Sequence, residues 1–158
     1  HTDGSGVTIT AASGIFIGVP NTHALIASRW TSNGECVRFQ RDNTDVGSID
    51  VTTTSTSYNT SSDHRLKENV VELTGATDRL KQLNPSRFNF IADADTTVDG
   101  FIAHEVQAVV PEAISGTKDE VDADGNPVYQ GIDQSKLVPL LVATIQELEA
   151  RITALENA

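Results

Sequence analysis

Ser62 and Lys67 are the two residues of this sequence whose types and spacing best suit catalysis. They lie five residues apart, and no lysine precedes Lys67. A serine hydroxyl is a weak nucleophile at neutral pH and needs a base to take its proton. A lysine can be that base where burial favours its neutral form. The pair is therefore a possible Ser-Lys dyad, although many exposed Ser and Lys residues share this spacing.

The pair lies at a change in composition, which indicates a domain boundary. Residues 1–61 are rich in Thr, Ser and Gly and poor in charge, and their short β-branched runs are separated by turn signals. We predict five strands here, at Val7–Thr10, Gly14–Ile17, Ala24–Ala27, Cys36–Phe39 and Ser48–Val51. Residues 52–61 are polar and are predicted to form an accessible, extended linker.

Residues 1–61 are too few to build a stable core unaided. A core of this size rarely supplies more than a few kcal/mol without a staple. Cys36 is the single cysteine, so an intrachain disulfide is excluded. Oligomerisation is the remaining route, and we expect a trimeric β-stalk end resembling a triple β-helix. A small β-domain that folds alone is the alternative.

Residues 62–158 alternate between helical and strand patterns, which predicts an α+β domain. The predicted elements are a helix over 75–83 capped by Thr74, a strand at Arg87–Ile91 continued by Phe101–Ile102, a helix at His104–Val110, and a hairpin turning at Asp124–Gly125. The acidic turn at 122–126 lacks the closing glutamate of a calcium loop. We therefore expect a solvated turn, with no bound metal and no cofactor.

The last segment, about 134–157, predicts a long coiled-coil helix. Val138, Ile145 and Ile152 fall seven residues apart, and Leu141, Leu148 and Leu155 form a second set with the same spacing. The two sets alternate like the a and d positions of a heptad. Pro139 fits if it lies in the first turn, which Asp133 or Ser135 as N-cap allows. Ile at a with Leu at d favours two strands, whereas the β-stalk calls for three chains.

Several blocks of the chain resemble one known family. The run Ser62–Val70 is similar to the start of the intramolecular chaperone domain of endosialidase-type phage tailspikes and tail fibres, a domain that also occurs in myelin regulatory factors. The likeness continues through Gly100–Gln107 and Val110–Ala113 and ends at Lys136–Leu141. The blocks appear in the family's order and cover about 62–158.

The resemblance implies a trimeric C-terminal chaperone that registers the stalk of its own chain. It then cuts itself off at the Ser62-Asp63 junction. Ser62 would be the nucleophile and Lys67 the general base, acting either within one chain or on a neighbour. Ser61, outside the motif, is an alternative nucleophile. Asp63 would begin the released domain.

Three further residues are candidates for supporting roles. Arg65 can hold a carboxylate or orient the loop, and Glu68 lies beside the dyad. His104 can polarise the scissile carbonyl or support the base. Ordinary capping, ion pairing or a structural histidine is the competing interpretation of each. His104 and Glu105 form no zinc motif, because no second histidine follows at helical spacing.

Charge and hydropathy limit the partners. The net charge of -11, from 22 acidic and 11 basic residues, opposes binding to nucleic acid or an anionic membrane. No apolar run approaches 18 residues, so no membrane insertion is expected. We expect the N-terminal part in the virion and the chaperone domain acting in the host cytoplasm before its release. The sequence is also compatible with two alternative functions. One is a structural trimerisation foot that does not cleave itself, and the other is a fibre tip that binds a host glycan near Trp30.

Overall fold

The structure, a computed structural model, describes His23 and residues 25–158. The described residues divide into two compact units, a first that ends at Asn69 and a second at Val70–Ala158. The predicted strands at 7–10 and 14–17 lie outside the described residues, as does Ala24. Residues 25–27 form no strand, so that part of the prediction at 24–27 is wrong.

The first unit contains a three-stranded antiparallel sheet in the order β1-β2-β3. Its strands are β1 (Gly34–Arg41), β2 (Thr44–Val51) and β3 (Thr56–Thr60). A two-residue turn joins β1 to β2, and Asp42 and Asn43 both adopt positive φ there, at 48° and 62°. Such a turn matches the twist of the strands it connects. The strands predicted at 36–39 and 48–51 are thus confirmed.

Strand β3 corrects the predicted linker. Residues 56–60 are not a free extended segment but pair with β2, with Tyr58 opposite Ile49 and Thr60 opposite Gly47. Threonine and tyrosine favour a pleated surface, and hydrogen bonding to β2 orders a segment whose polar sequence carries no alternating pattern. Ser61 extends this pairing, because its N–H donates to the Val46 carbonyl at 3.3 Å.

The second unit combines short helices with two small antiparallel sheets. Its helices are α1 (Ala76–Leu80), α2 (Ala103–Gln107) and α3 (Val138–Glu156). The strands form two pairs, β4 (Ser86–Phe90) with β5 (Asp93–Gly100), and β6 (Ile114–Ser115) with β7 (Gly131–Ile132). The mixed α and β character predicted for this part of the chain is confirmed.

Several local predictions in the second unit need correction. Strand β4 pairs with the acidic segment β5, and Phe101–Ile102 follow β5 without extending the sheet. Helix α1 is shorter than predicted, and its N-cap is Gly75 at φ 69° instead of Thr74. The hairpin does turn at Asp124–Gly125, where the Gly125 N–H donates to the Asp122 carbonyl at 3.1 Å.

Helix α3 begins at Val138, later than the predicted start near residue 134, and its N-cap is Leu137. Asp133 caps a 3₁₀ turn at Gln134–Leu137 by accepting from the Ser135 N–H at 3.0 Å, and α3 continues from this turn. Pro139 lies in the first turn of α3, where its missing N–H costs no hydrogen bond.

Helix α3 carries two apolar faces that differ in burial. One face contributes Leu140, Ala143 and Thr144 to the core of the second unit, where they are 2%, 8% and 4% exposed. The remaining core residues come from α1, α2 and the segments that follow them, namely Ala76, Val106, Val110, Ala113 and Leu137. The other face is the predicted heptad set, and all six of its members are exposed, by 41% to 78%.

Glu147 connects α3 to the start of α1. Its half-buried carboxylate accepts from the N–H groups of Ala76 and Thr77, both at 2.8 Å, and from the Thr77 hydroxyl at 2.5 Å. These donors, with Thr77 contributing most, lower the pKa of Glu147 from 4.5 to about 2. A carboxylate 70 residues away along the chain therefore caps α1.

We expect Glu147 to make the second unit sensitive to acid. A carboxyl whose pKa is lowered by folding stabilises the fold above its ordinary pKa of 4.5, and this stabilisation falls as the pH drops towards about 2. Glu147→Gln should lower the melting temperature at pH 7. The difference in melting temperature between the variant and the natural chain should shrink as the pH falls and vanish near pH 2. Circular dichroism of the helices measures this, with Glu149→Gln as the control. A difference in melting temperature that stays the same at all pH values would contradict the capping role.

Candidate functional site

The Ser62–Asn69 segment forms a turn that brings Ser62 and Lys67 together. The residues before the turn, β3 and Ser61, are fixed by their pairing with β2. Asp63 then caps a 3₁₀ turn at His64–Leu66, and the Lys67 N–H donates to the His64 carbonyl at 3.1 Å to close it. Lys67 leaves the turn in an extended conformation, with φ -122° and ψ 142°. Its side chain can therefore reach back to the residue before the turn.

Lys67 Nζ donates a hydrogen bond to Ser62 Oγ at 2.8 Å. This distance lies within the range required between a nucleophile and its general base. The hydrogen bond forms within one chain. Every residue from Ser61 to Val70 is exposed, so a second chain can approach both the pair and the Ser62-Asp63 bond.

Asp63 and Arg65 form the densest set of polar contacts at the turn. Asp63 Oδ1 accepts from the Arg65 N–H and Nε, both at 2.9 Å, and Oδ2 accepts from Nη2 at 2.7 Å. The Arg65 side chain, followed by its N–H, lowers the pKa of the Asp63 carboxyl, and the same contact raises the pKa of Arg65. His64 Nδ1 lies 3.5 Å from Asp63 Oδ1.

The other candidate residues lie apart from these contacts. Glu68 is exposed, and no hydrogen bond or ion pair joins it to the residues the structure describes. His104 belongs to the second unit, where it is exposed beside a shallow cleft lined by Tyr129 and Gln130. Their supporting roles stay predictions. The hydroxyl of Ser61, the alternative nucleophile, donates a hydrogen bond to the Asp45 carbonyl at 3.3 Å and is not paired with Lys67.

Clusters of metal ligands and membrane-spanning helices are both absent from His23 and residues 25–158. No group of three or more His, Cys, Asp or Glu side chains is arranged to hold a metal ion there. In the turn predicted to be solvated, Asp122 Oδ1 accepts from the N–H groups of Asp124 and Asn126, at 2.9 and 2.8 Å. None of the helices in those residues has the length and apolar character needed to cross a membrane.

The first unit thus ends, after its three strands, in a turn that carries an exposed Ser-Lys pair, and a unit of mixed α and β structure follows it in the sequence. Comparison with known proteins agrees with the resemblance stated above. Residues 62–115 match the family described as the chaperone of endosialidase, and the match starts at Ser62. This part of the chain is therefore similar to that family. The resemblance predicted for 116–158 lies outside the matched residues.

Two curated relatives are proteins of phage tail fibres. The long tail fibre protein Gp37 of Enterobacteria phage K3 and that of phage T2 are each 33% identical to this chain over 100 residues. The aligned region covers 61% of this chain, but only 8% of the K3 protein and 7% of the T2 protein. The chain thus corresponds to a small part of these long relatives.

Proposed function

We propose that this chain is part of a phage tail fibre or tailspike whose chaperone domain assembles the fibre as a homotrimer and then cuts itself off. The observation that carries the proposal is the 2.8 Å contact between Lys67 Nζ and Ser62 Oγ at the start of the family match. The client is the β-rich segment of the same chain, which would stay in the virion. The chaperone domain would act in the host cytoplasm during assembly.

Burial supports a trimer. None of the described residues before Ala76 is buried, so in one chain the β-sheet of the first unit has no core of its own. In the second unit, Val138 and Leu141 of the heptad face line an open apolar groove of about 590 Å³ together with Leu80, Leu83 and Phe101. Packing against neighbouring chains would bury both surfaces. Since registering three β chains is slow, holding their ends together would speed assembly.

The proposed reaction is an acyl transfer followed by hydrolysis. Lys67, after losing its own proton, takes the proton of the Ser62 hydroxyl, and the oxygen attacks the carbonyl carbon of a Ser62-Asp63 junction. The C–N bond breaks, and the nitrogen of Asp63 leaves as an amine after receiving that proton. Water then hydrolyses the ester. Burial disfavours the ammonium form of a lysine, so trimer contacts over this exposed turn would activate the base.

Ring size decides which chain can be attacked. Ser62 Oγ reaches the carbonyl carbon of its own residue only by closing a strained β-lactone. Cleavage at Ser62-Asp63 is therefore proposed to use the Ser62 hydroxyl of a neighbouring chain. Attack within one chain on the Ser61 carbonyl closes an unstrained ring and cuts one residue earlier, between Ser61 and Ser62.

The experiment that tests the function is intact-mass measurement on the chain carrying an N-terminal tag. After folding into a trimer, the chain should give two products under denaturing conditions. A released piece that begins at Asp63 supports attack between chains, and one that begins at Ser62 supports attack within a chain. A folded trimer that stays whole overturns self-cleavage and leaves the structural trimerisation foot.

A receptor-binding role is the second candidate, and one observation favours it. Trp30 is 92% exposed and lines a cleft of about 330 Å³ with Asn33, Thr52 and Thr53. An exposed indole beside hydroxyl and amide groups suits stacking against a sugar ring. Because Trp30 is the sole tryptophan, its fluorescence should shift when host-surface oligosaccharides are added. Unchanged emission across such a panel would remove the glycan role.

A further inference from the structure

We propose that Asp63, through its pair with Arg65, is the positioning residue that holds Lys67 against Ser62. This inference rests on the proposed function, because it names what sets the geometry of the same cleavage. Asp63 would thus do more than supply the first residue of the released piece.

The contacts of Asp63 fix both the backbone and the side chain of Arg65. The Asp63 carboxylate accepts from the Arg65 N–H at 2.9 Å, which caps the turn at His64–Leu66. The same carboxylate receives Nε at 2.9 Å and Nη2 at 2.7 Å, as two parallel bonds. Such a bidentate pair is geometrically specific as well as charge-assisted. Arg65 can therefore hold only a narrow range of orientations relative to Asp63.

This turn sets where Lys67 begins. The Leu66 N–H donates to the Asp63 carbonyl and the Lys67 N–H to the His64 carbonyl, both at 3.1 Å. Lys67 follows the turn directly, so a change at Asp63 moves the Lys67 backbone. Lysine is long and flexible, and its amine stays 2.8 Å from Ser62 Oγ only if the backbone is held.

The position of the pair separates a positioning role from a structural one. Asp63 and Arg65 are 40% and 77% exposed, and exposed ion pairs contribute little to stability. Breaking this pair should therefore leave the fold and trimer intact. A small displacement of a catalytic group, in contrast, can slow a reaction by about 100-fold. A large loss of cleavage with unchanged melting temperature is the signature of positioning.

The test is a double-mutant cycle on the full tagged chain. Asp63→Asn, Arg65→Met and the double variant are folded from denaturant, and the released piece is followed by intact mass over time. We expect each single variant to slow cleavage about tenfold or more, and the double variant to be no slower than the slower single one. Asp63→Asn keeps an acceptor for the Arg65 N–H, whereas Asp63→Ala does not. We therefore expect Asp63→Ala to be cleaved more slowly than Asp63→Asn.

The chain offers a matched control. Arg87 and Asp99 form the same kind of exposed bidentate pair between β4 and β5, with Nε and Nη2 at 2.7 and 2.9 Å from the two carboxylate oxygens. Arg87→Met and Asp99→Asn should leave the cleavage rate unchanged. Arg65→Lys is a milder variant that keeps the charge but loses the parallel bonds, and it should also cleave slowly. It serves as the test if Arg65→Met fails to form trimers.

Two outcomes would overturn the inference while sparing the proposed function. If Asp63→Asn and Arg65→Lys are cut at the rate of the natural sequence, the pair does not position Lys67. If the losses of the two single variants multiply in the double variant, Asp63 acts independently of Arg65, as the leaving residue. If the natural sequence itself stays whole as a folded trimer, the proposed function fails and this inference fails with it.

Discussion

Lys67→Ala is expected to leave the tagged chain whole after it has folded into a trimer. The amine of Lys67 is the only base that hydrogen-bonds to Ser62 Oγ among the described residues, at 2.8 Å. General bases typically contribute about 10²- to 10⁴-fold to a rate, so the variant should show no released piece over a period that completes natural cleavage. Ser62→Ala removes the nucleophile and should have the same effect. Intact mass under denaturing conditions measures both.

Lys67→Arg is the decisive companion variant. Arginine keeps the positive charge and the hydrogen-bond donors, but it does not lose a proton in proteins. If Lys67 acts as a base, Lys67→Arg stays whole although its fold and trimer are preserved. If Lys67→Arg is cut at the natural rate, Lys67 serves only to orient Ser62, and the base must be sought elsewhere. Trimer content is checked in parallel, because loss of assembly would also stop cleavage.

Ile145→Asp is expected to convert the proposed trimer into monomers. Ile145 is 65% exposed in one chain and belongs to the heptad face, away from the core face formed by Leu140, Ala143 and Thr144. In a trimer, three aspartates would be buried at one layer, and each uncompensated buried charge costs on the order of several kcal/mol. The variant is made in the Ser62→Ala background so that the chain stays whole, and sedimentation equilibrium gives its mass.

Gln146→Asp is the matched control for this second prediction. It places the same charge one residue further along α3, at an exposed position outside the heptad face, and should leave the trimer unchanged. The helices of Ile145→Asp should persist, because the core of its own chain does not include that side chain. A trimer that survives Ile145→Asp would show that the heptad face is not the interface. A dimer of the Ser62→Ala chain would instead favour the Ile and Leu pattern over the stalk argument.

The parts of the fold that could be predicted from the sequence are those with local signals. Asp133 capping, Pro139 in the first turn and the apolar spacing identified α3. The Asp124–Gly125 turn likewise needed only neighbouring residues. The five-residue spacing and the family resemblance predicted that Ser62 and Lys67 act as a pair, and their 2.8 Å contact agrees with that expectation. Their chemical roles stay predictions.

The parts that were missed depend on contacts with no local signal. Strand β3 is polar and follows a threonine-rich stretch, so nothing in its own sequence separates it from a linker. Strand β5 is acidic, and strand sequences seldom are. Glu147 caps Ala76 and Thr77, which lie 71 and 70 positions away in the sequence. A contact over that distance leaves no pattern in the local sequence. The pairing of Asp63 with Arg65 could be predicted in part, because both residues belong to the motif. The geometry of their contact could not, because it depends on how the turn folds.

The place where β3 ends gives the proposed cut a thermodynamic direction. Strand pairing in the first unit ends at Ser61, and the turn capped by Asp63 begins one residue after Ser62. Within the described part of that unit, the Lys67 contact to Ser62 is the one hydrogen bond that joins the two sides of the Ser62-Asp63 bond. Hydrolysis would therefore disrupt neither the sheet nor the turn. Once the pieces diffuse apart, resynthesis of the bond would be bimolecular, so dilution alone would make the step irreversible.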